Sequence, residues 1–88
     1  MQYEHDPEKL AANVAKHGVW FDEAEGFEWE SALVKVDSRR EYGEPRLLAI
    51  AYIGERLHVM VFTLRVNAVR IISLRRANRR EEREYAKA

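Results

Sequence analysis

Residues 46–76, RLLAIAYIGERLHVMVFTLRVNAVRIISLRR, contain three apolar runs joined by two short connections. Val, Ile, Leu and Phe dominate these runs, and β-branched and aromatic residues favour the pleated, half-buried surface of a sheet. Gly54 and Glu55 form the first connection, which has the length of a tight hairpin turn. The pattern predicts an antiparallel sheet built on three strands: residues 46–53, 56–65 and 69–75.

The segment before this stretch carries clear start and stop signals for a helix. Asp6 can cap a helix whose first position is Pro7, and Gly18 supplies the left-handed conformation that ends it. Four further elements are predicted, namely a short first strand, a second helix, a weakly alternating strand and a mobile loop: residues 3–5, 19–27, 32–37 and 38–45.

Two helices complete the predicted architecture. The helix over 19–27 would bury Phe21, Ala24 and Phe27, and residues 78–88 are rich in Arg, Glu and Ala without a helix breaker. The chain is expected to form a single domain over 1–88. Its fold class is predicted as compact α+β, with two N-terminal helices, an antiparallel sheet and a C-terminal helix.

The composition excludes several kinds of site. The chain has no cysteine, which rules out disulfides, thiolate catalysis and Cys-based zinc sites. Its three histidines lack metal-ligand spacing, and its four glycines resemble caps or turns rather than a phosphate-binding loop, so no metal or cofactor is predicted. No secretory signal is visible, and the longest apolar run, 47–53, is too short to cross a bilayer. We therefore expect a soluble, cytoplasmic protein.

A net charge of zero conceals a strong asymmetry along the chain. Residues 1–38 carry nine acidic side chains against three lysines, whereas residues 39–88 carry twelve basic side chains against six glutamates. Eleven of those twelve are arginine, whose planar fork of donors fits phosphate oxygens better than the point charge of lysine. The charge pattern favours nucleic acid, or an acidic protein segment, as the partner.

Strand alternation suggests where the arginines cluster. Thr63 and Arg65 share one face of their predicted strand, and Ser73 and Arg75 share one face of the next. Because both arginines follow apolar runs, we expect them at the same end of adjacent strands, where they would bind a phosphate together. The alternative is that they form exposed ion pairs with nearby glutamates.

The chain resembles the BrnT family of bacterial toxins, which is similar in fold to RelE-type ribonucleases. Two departures from the family pattern are visible: His5 replaces a usual aromatic residue, and Leu74 replaces a small one. The resemblance spans residues 3–85 and rests on these segments: Tyr3-x-x-Asp6-Pro7-x-Lys9, Asn13-x-x-Lys16-His17-Gly18-Val19-x-Phe21-Asp22-Glu23-Ala24, Arg46, Thr63-x-Arg65, Arg70-Ile71-Ile72-Ser73-x-Arg75 and Glu82-x-x-Tyr85.

The resemblance implies a toxin that acts as a metal-independent endoribonuclease, cleaving RNA by attack of the ribose 2′-hydroxyl and thereby inhibiting translation and growth. It also implies a BrnA-like antitoxin with a ribbon-helix-helix domain, a complex of two toxins with two antitoxins, and DNA binding only through the antitoxin. The competing hypothesis is a non-catalytic module that binds nucleic acid or protein through the same arginine-rich sheet.

Catalytic roles are assigned to five residues. His17 is the candidate acid or base, although it ends a helix and would otherwise cap carbonyls there. Arg65 and Arg75 are the first candidates for binding the scissile phosphate, and Arg46 would add a third guanidinium group to this site. Thr63 would bond the phosphate or orient Arg65, unless it is an ordinary sheet threonine.

Substrate contacts outside the reacting phosphate are also predicted. Lys9, Arg70 and Arg76 are interpreted as contacts to the RNA backbone. Tyr85 would stack on a base, with core packing as the alternative. His58 is interpreted as structural. Trp20 and Trp29 either belong to the core or face the antitoxin, and the sequence does not decide between these roles.

Overall fold

A five-stranded mixed sheet forms the centre of the protein. The computed structural model describes residues 1–38 and 43–88, so half of the predicted loop at 38–45, residues 39–42, lies outside the described residues. The spatial order of the strands is β1-β5-β4-β3-β2. In chain order the strands are β1 (Tyr3–His5), β2 (Leu33–Val36), β3 (Leu47–Ile53), β4 (Arg56–Arg65) and β5 (Ala68–Arg76), with helix α1 (Pro7–His17) after β1 and helix α2 (Arg79–Lys87) after β5.

The capping signals of α1 are confirmed. The Asp6 side chain accepts a hydrogen bond from the Glu8 backbone N–H at 2.9 Å. At the other end Gly18 has a φ of 70°, and its N–H donates to the Val14 carbonyl at 2.8 Å. A side chain at position 18 would be strained in this left-handed conformation, so the glycine fixes where the helix stops.

The second predicted helix is a 3₁₀ helix, Phe21–Gly26, rather than an α-helix. Its buried side is confirmed, because Phe21, Ala24 and Phe27 are 1–5% exposed. A spacing of three residues matches the 3.0 residues per turn of a 3₁₀ helix, so Phe21 and Ala24 share one face of it, and Phe27 follows directly after its end.

The prediction of a purely antiparallel sheet is wrong at one edge. β1 pairs in parallel with β5, with Tyr3 opposite Val69 and His5 opposite Ile71, whereas the other three pairings are antiparallel. β1 is the first strand and β5 the last, and α1 leads the chain away between them. Local alternation contains no information on such a distant pairing, so the direction was not predictable from β1 alone.

A β-bulge changes which face the end of β5 presents. Phe62 pairs with Ile71 while Val61 pairs with Ser73, so Ile72 is an extra residue in β5. The predicted alternation, which placed Ile71 and Ser73 on one face, is therefore wrong beyond Ile71. Ile72 and Ser73 both line the same side of the sheet, and Leu74 returns to the opposite core.

Each face of the sheet is apolar. One face packs against α1 and the 3₁₀ helix through a cluster that includes Phe21, Phe27, Met60 and Phe62. The other face carries a second cluster, against which Tyr85 of α2 packs: Leu48, Ile50, Leu57, Val59, Val61 and Ala77. In the described parts of the chain, no helix has the length and apolar character needed to span a membrane.

Candidate active site

An open cavity of about 290 Å³ lies where α1 passes the exposed end of β5. One wall is the side of α1 that bears Lys9, Asn13 and Lys16, and the floor is the sheet face that bears the second apolar cluster. The residues that line it are Lys9, Ala12, Asn13, Lys16, His17, Arg46, Val61, Ile72, Ser73 and Arg75.

The wall follows from helical spacing. Lys9, Asn13 and Lys16 recur at i, i+4 and i+7, which places them above one another on one face of α1. Ala12 lies between them with a side chain too small to fill the cavity. Lys9 was predicted to contact substrate, and the structure brings it together with Lys16, which sequence reasoning had not selected.

Asn13 fixes this wall against the sheet. Its Nδ2 donates to the carbonyls of Leu74 and Val19 at 2.7 and 2.9 Å, and its Oδ1 accepts from the Leu74 N–H at 3.1 Å. Asn13 is 5% exposed. Buried polar groups that lose such partners are costly, so this amide holds α1 at a defined position along β5.

The floor depends on the bulge in β5. Ser73 and Arg75 face the cavity because Ile72 shifts their alternation by one residue. Arg46 directly precedes β3 and has the same alternation as Leu48, so its side chain lies on the face that forms the floor. It lines the cavity from the side of β3. Of the predicted catalytic residues, His17, Arg46 and Arg75 are therefore brought together.

The cavity is strongly cationic. Two lysines and two arginines line it, and none of the described residues in its lining is acidic. Burial, followed by the charges of Lys16 and Arg75, lowers the pKa of His17 below its ordinary value of 6.5. Each cause disfavours the imidazolium, so the ring is mainly neutral at pH 7. A neutral imidazole is in the protonation state that a general base requires.

The alternative role for His17, capping α1, is not what the geometry shows. The Val14 carbonyl, near the end of α1, accepts a hydrogen bond from the Gly18 N–H. Within residues 1–38 and 43–88, no hydrogen bond joins the His17 ring to a helix carbonyl. The ring instead lines the cavity.

The expectation that Arg65 and Arg75 meet at the same end of adjacent strands is wrong. In the antiparallel hairpin Arg75 lies opposite Val59, whereas Arg65 lies opposite Ala68. Six residues of β4 separate the two positions, which is roughly 20 Å at the rise of an extended strand. Both arginines follow an apolar run, but the runs point in opposite directions.

Arg65 instead belongs to an ion-pair cluster at the hairpin end of the sheet, which we call the hairpin-end cluster and define as Glu4, Glu44, Arg65 and Arg70. Arg65 binds Glu44 through two hydrogen bonds of 2.8 and 3.1 Å. Arg70 binds Glu4 at 3.2 Å, and Arg65 Nε lies 3.7 Å from the same carboxylate. Arg65, then Arg46 and Arg70, lower the pKa of Glu44, so this carboxylate stays ionised.

The other predicted residues lie outside the cavity. Thr63 is 1% exposed beside Arg70, and no described residue bonds its hydroxyl. Arg76 lies opposite His58, with the alternation of Leu74, on the face away from the cavity. Tyr85 packs edge-on against Tyr52 with 5.6 Å between ring centroids, which agrees with the core-packing alternative.

The structure also shows the surroundings of the two tryptophans and of His58. Trp29 is half-buried, donates to the Tyr3 hydroxyl at 2.6 Å, and packs against Phe62. Trp20 is 54% exposed. His58 is 4% exposed and its Nδ1 lies 2.8 Å from the Arg56 carbonyl, so its structural interpretation is confirmed.

Sequence reasoning missed three residues around the cavity. Lys16 and Asn13 had an available signal, because they share a helical face with Lys9. Glu81, which binds Arg75 through 2.8 and 2.7 Å hydrogen bonds, had none, since the contact depends on how α2 returns over the sheet. Among the described residues, no group of three or more His, Asp or Glu is arranged to hold a metal ion.

Comparison with known proteins decides the family. A model described as a ribonuclease toxin, BrnT, of type II toxin–antitoxin systems matches residues 5–81. The chain belongs to the BrnT family. A search of curated proteins returned no match. Membership in the BrnT family makes the chain a ribonuclease toxin of a type II system, and such a system pairs the toxin with an antitoxin protein.

Proposed function

We propose that the cavity between α1 and β5 is the ribonuclease centre of this BrnT family member. The observation that carries the proposal is the composition of its described lining, which contains four cations and a partly buried histidine but no carboxylate. Such a site attracts anionic groups, including the phosphodiester of RNA, and repels cations. The hairpin-end cluster contains as many carboxylates as arginines, so it supports the assignment less well.

The reaction that fits these residues is transesterification by the ribose 2′-hydroxyl. His17 accepts the 2′-hydroxyl proton as the 2′-oxygen forms its bond to phosphorus, and the bond from phosphorus to the 5′-oxygen then breaks. The leaving 5′-oxygen takes a proton from water to give a 5′-hydroxyl, His17 releases its proton to the solvent, and the other fragment ends in a 2′,3′-cyclic phosphate. The nucleophile comes from the substrate, so the protein needs no nucleophile of its own.

The cations stabilise the charge that develops on the phosphate. Arg46 and Arg75 approach from the sheet, while Lys9 and Lys16 approach from α1. Fixed donors aimed at developing charge contribute strongly in a site that need not reorganise. The Ser73 hydroxyl provides a further neutral donor on the floor.

Incubation of the purified free protein with single-stranded RNA in EDTA tests this proposal. Fragments that end in 2′,3′-cyclic phosphate or 3′-phosphate, absent with the His17→Gln protein purified in the same way, would support a metal-independent ribonuclease and exclude contamination. RNA binding without cleavage by folded protein would favour the alternative, a non-catalytic binding module. Cleavage by His17→Gln at the wild-type rate would contradict the assignment of the base.

We also propose the finer identity of the partner. The family resemblance supports a BrnA-like ribbon-helix-helix antitoxin, in a complex of two toxins and two antitoxins, with DNA bound only through the antitoxin. An acidic antitoxin segment would fit the cationic cavity. Gel shifts on the upstream DNA with free protein and with co-expressed complex, together with light scattering for mass, test this division. Specific DNA binding by the free protein would overturn it.

A further inference from the structure

Arg75 enters the cavity but is held from behind by the C-terminal helix. Its Nη1 and Nη2 donate to the two carboxylate oxygens of Glu81 at 2.8 and 2.7 Å. The two side chains are 23% and 15% exposed, so the contact is largely shielded from water. A bidentate pair of this kind fixes the plane of the guanidinium as well as its position.

The same carboxylate also caps α2. Glu81 Oε1 accepts from the Asn78 N–H at 2.9 Å, while the Glu81 N–H donates to the Asn78 side chain at 2.9 Å. This reciprocal arrangement is a capping box, which stabilises the first turn of a helix. The hydrogen bond from Arg75 is the main cause of the lowered pKa of Glu81, so Glu81 remains ionised at neutral pH.

α2 has few other attachments to the sheet. None of its residues is fully buried, and its apolar contact is made by Tyr85. Its other described ion pair joins Glu84 to Lys35, with both side chains 40–45% exposed. The Glu81 carboxylate therefore connects the start of α2 directly to a cation of the cavity.

Arg75 keeps donors for a second partner. A guanidinium has five N–H groups. Glu81 takes two of them, and a 3.4 Å contact from Nη1 to the Arg76 carbonyl takes a third. The remaining donors are Nε–H and one N–H of Nη2. Arg75 can thus bind Glu81 and a phosphate oxygen simultaneously, without exchanging one for the other.

We propose that Glu81 is a positioning residue: it holds the Arg75 guanidinium in the orientation that the phosphate of the transition state requires. This inference rests on the proposed function and deepens it, because it makes the first turn of α2 part of the support of the ribonuclease centre. An arginine without such a partner samples many rotamers, and small misplacements of a catalytic group lower the rate strongly.

Positioning and simple neutralisation give opposite kinetic results. Removal of the Glu81 charge raises the net positive charge of the cavity. If Glu81 only neutralised Arg75, its loss would strengthen RNA binding and leave kcat unchanged. If it positions Arg75, its loss lowers kcat by about tenfold or more, whereas KM changes little.

Three variants separate the roles of this carboxylate. Glu81→Gln removes the ionic contact to Arg75 but keeps a side chain that can complete a capping box. Asn78→Ala removes the cap and leaves the Arg75 contact. Glu84→Gln is the matched control, because it removes an ion pair from the same helix at a distance from the cavity.

The decisive experiment measures kcat and KM for these proteins, together with the double variant Arg75→Ala/Glu81→Gln. We expect a kcat loss of about tenfold or more in Glu81→Gln, near wild-type kcat in Glu84→Gln and in folded Asn78→Ala, and no additional loss in the double variant beyond Arg75→Ala. An unchanged kcat, a lower KM at constant kcat, or additive losses in the double variant would overturn the inference.

Nitrogen-15 NMR of the arginine side chains gives a readout that does not depend on cleavage. In the wild-type protein we expect hindered rotation of the Arg75 guanidinium, which Glu81→Gln releases and Glu84→Gln leaves intact. If the wild-type protein cleaves no RNA, the proposed function fails while this spectrum still tests the contact. If cleavage is observed but Arg75 rotates equally freely in wild type and Glu81→Gln, the positioning role fails alone.

Discussion

Two groups of basic side chains occupy the same face of one sheet, yet their surroundings differ. In the cavity, Lys9, Lys16, Arg46 and Arg75 converge on an open space whose described lining contains no acidic side chain. In the hairpin-end cluster, Arg65 and Arg70 are bound by Glu4 and Glu44. Under the proposed function, this difference indicates that arginines on the sheet serve a phosphate site where the cavity between α1 and β5 leaves them facing an open space.

Arg75 makes the comparison more specific. It is also bound by a carboxylate, but Glu81 contacts it from α2 and does not line the cavity. Arg65 meets Glu44 at the surface, where its side chain is 36% exposed. Under the proposed positioning role, Glu81 orients Arg75 towards the cavity. Glu44 instead neutralises Arg65 at the exposed surface.

The largest effect is expected from His17→Gln. Unchanged cleavage in this variant would show that the cavity is not catalytic, and the proposed difference between the two groups of cations would then fail. Loss of a general base should lower RNA cleavage by about 10²- to 10⁴-fold. The acid limb of the wild-type pH–rate profile should lie below pH 6.5, because the pKa of His17 is lowered, and activity falls as the ring becomes protonated. Kinetics from pH 5 to 8 measure both.

The same shift has a consequence for stability. A histidine whose pKa is lower in the folded than in the unfolded protein stabilises the fold above the unfolded value, and this contribution is lost as pH falls. The wild-type protein should therefore lose more stability than His17→Gln between pH 7 and pH 5. A large drop in melting temperature at pH 7 without loss of cleavage would instead indicate a structural histidine.

Paired arginine substitutions test the two groups directly. Arg75→Ala should lower cleavage by about 10²-fold or more, since it removes a donor from the developing charge. Arg75→Lys should recover only part of this activity, because lysine lacks the planar fork. Arg65→Ala should lower cleavage much less. Single-turnover rates at equal folded concentration make the comparison, and equal losses in the two alanine variants would show that the hairpin-end cluster also participates.

Substitution of Asn13 tests how the cavity is built. Asn13→Ala leaves the Leu74 N–H and two carbonyls without their buried partners, which should lower the free energy of unfolding by about 2–4 kcal/mol. Asn13→Asp keeps the shape and one acceptor but cannot donate to the carbonyls, so it should also destabilise the fold. Urea unfolding and hydrogen exchange at Leu74 provide the measurement; wild-type exchange in both variants would contradict this account.

The smallest effect is expected from Glu44→Gln, which removes a carboxylate from the hairpin-end cluster. Arg65 then loses its bidentate partner, and RNA affinity should rise by less than about threefold, as for other exposed ion pairs. The increase should disappear at high salt, because exposed charges are screened. A tenfold or greater gain in RNA affinity would mean that Arg65 binds phosphate once Glu44 no longer occupies its guanidinium.

Elements governed by neighbouring residues were predictable from the sequence. The Asp6 cap, the Gly18 stop and the hairpin at Gly54 depend on local backbone geometry, and each was placed correctly. The parallel edge formed by β1 and β5 was not, because it joins residues more than sixty positions apart. The shift at Ile72 was missed for a similar reason, since a bulge is defined by the partner strand rather than by its own sequence.

Only part of the residue set proposed from the sequence lies in the cavity. His17, Arg46, Arg75 and Lys9 were named from the sequence and lie together. Arg65 was placed beside Arg75 because two strand ends look alike in a sequence, although an antiparallel hairpin sends them in opposite directions. The contribution of α2 through Glu81 required the path of the whole chain.

The Asn13 amide also determines which edge of the sheet remains accessible to another strand. β1 pairs with Val69 to Ile71 of β5, and Asn13 occupies the N–H and C=O of Leu74 as a further peptide unit would. Unpaired edges recruit strands from other chains, so this seal protects the molecule from self-association beside its cavity. Among the described strands the opposite edge belongs to β2, whose Val34 and Val36 are 47% and 65% exposed. If the protein associates by strand addition at high concentration, we therefore expect the contact at β2 rather than beside Leu74 of β5.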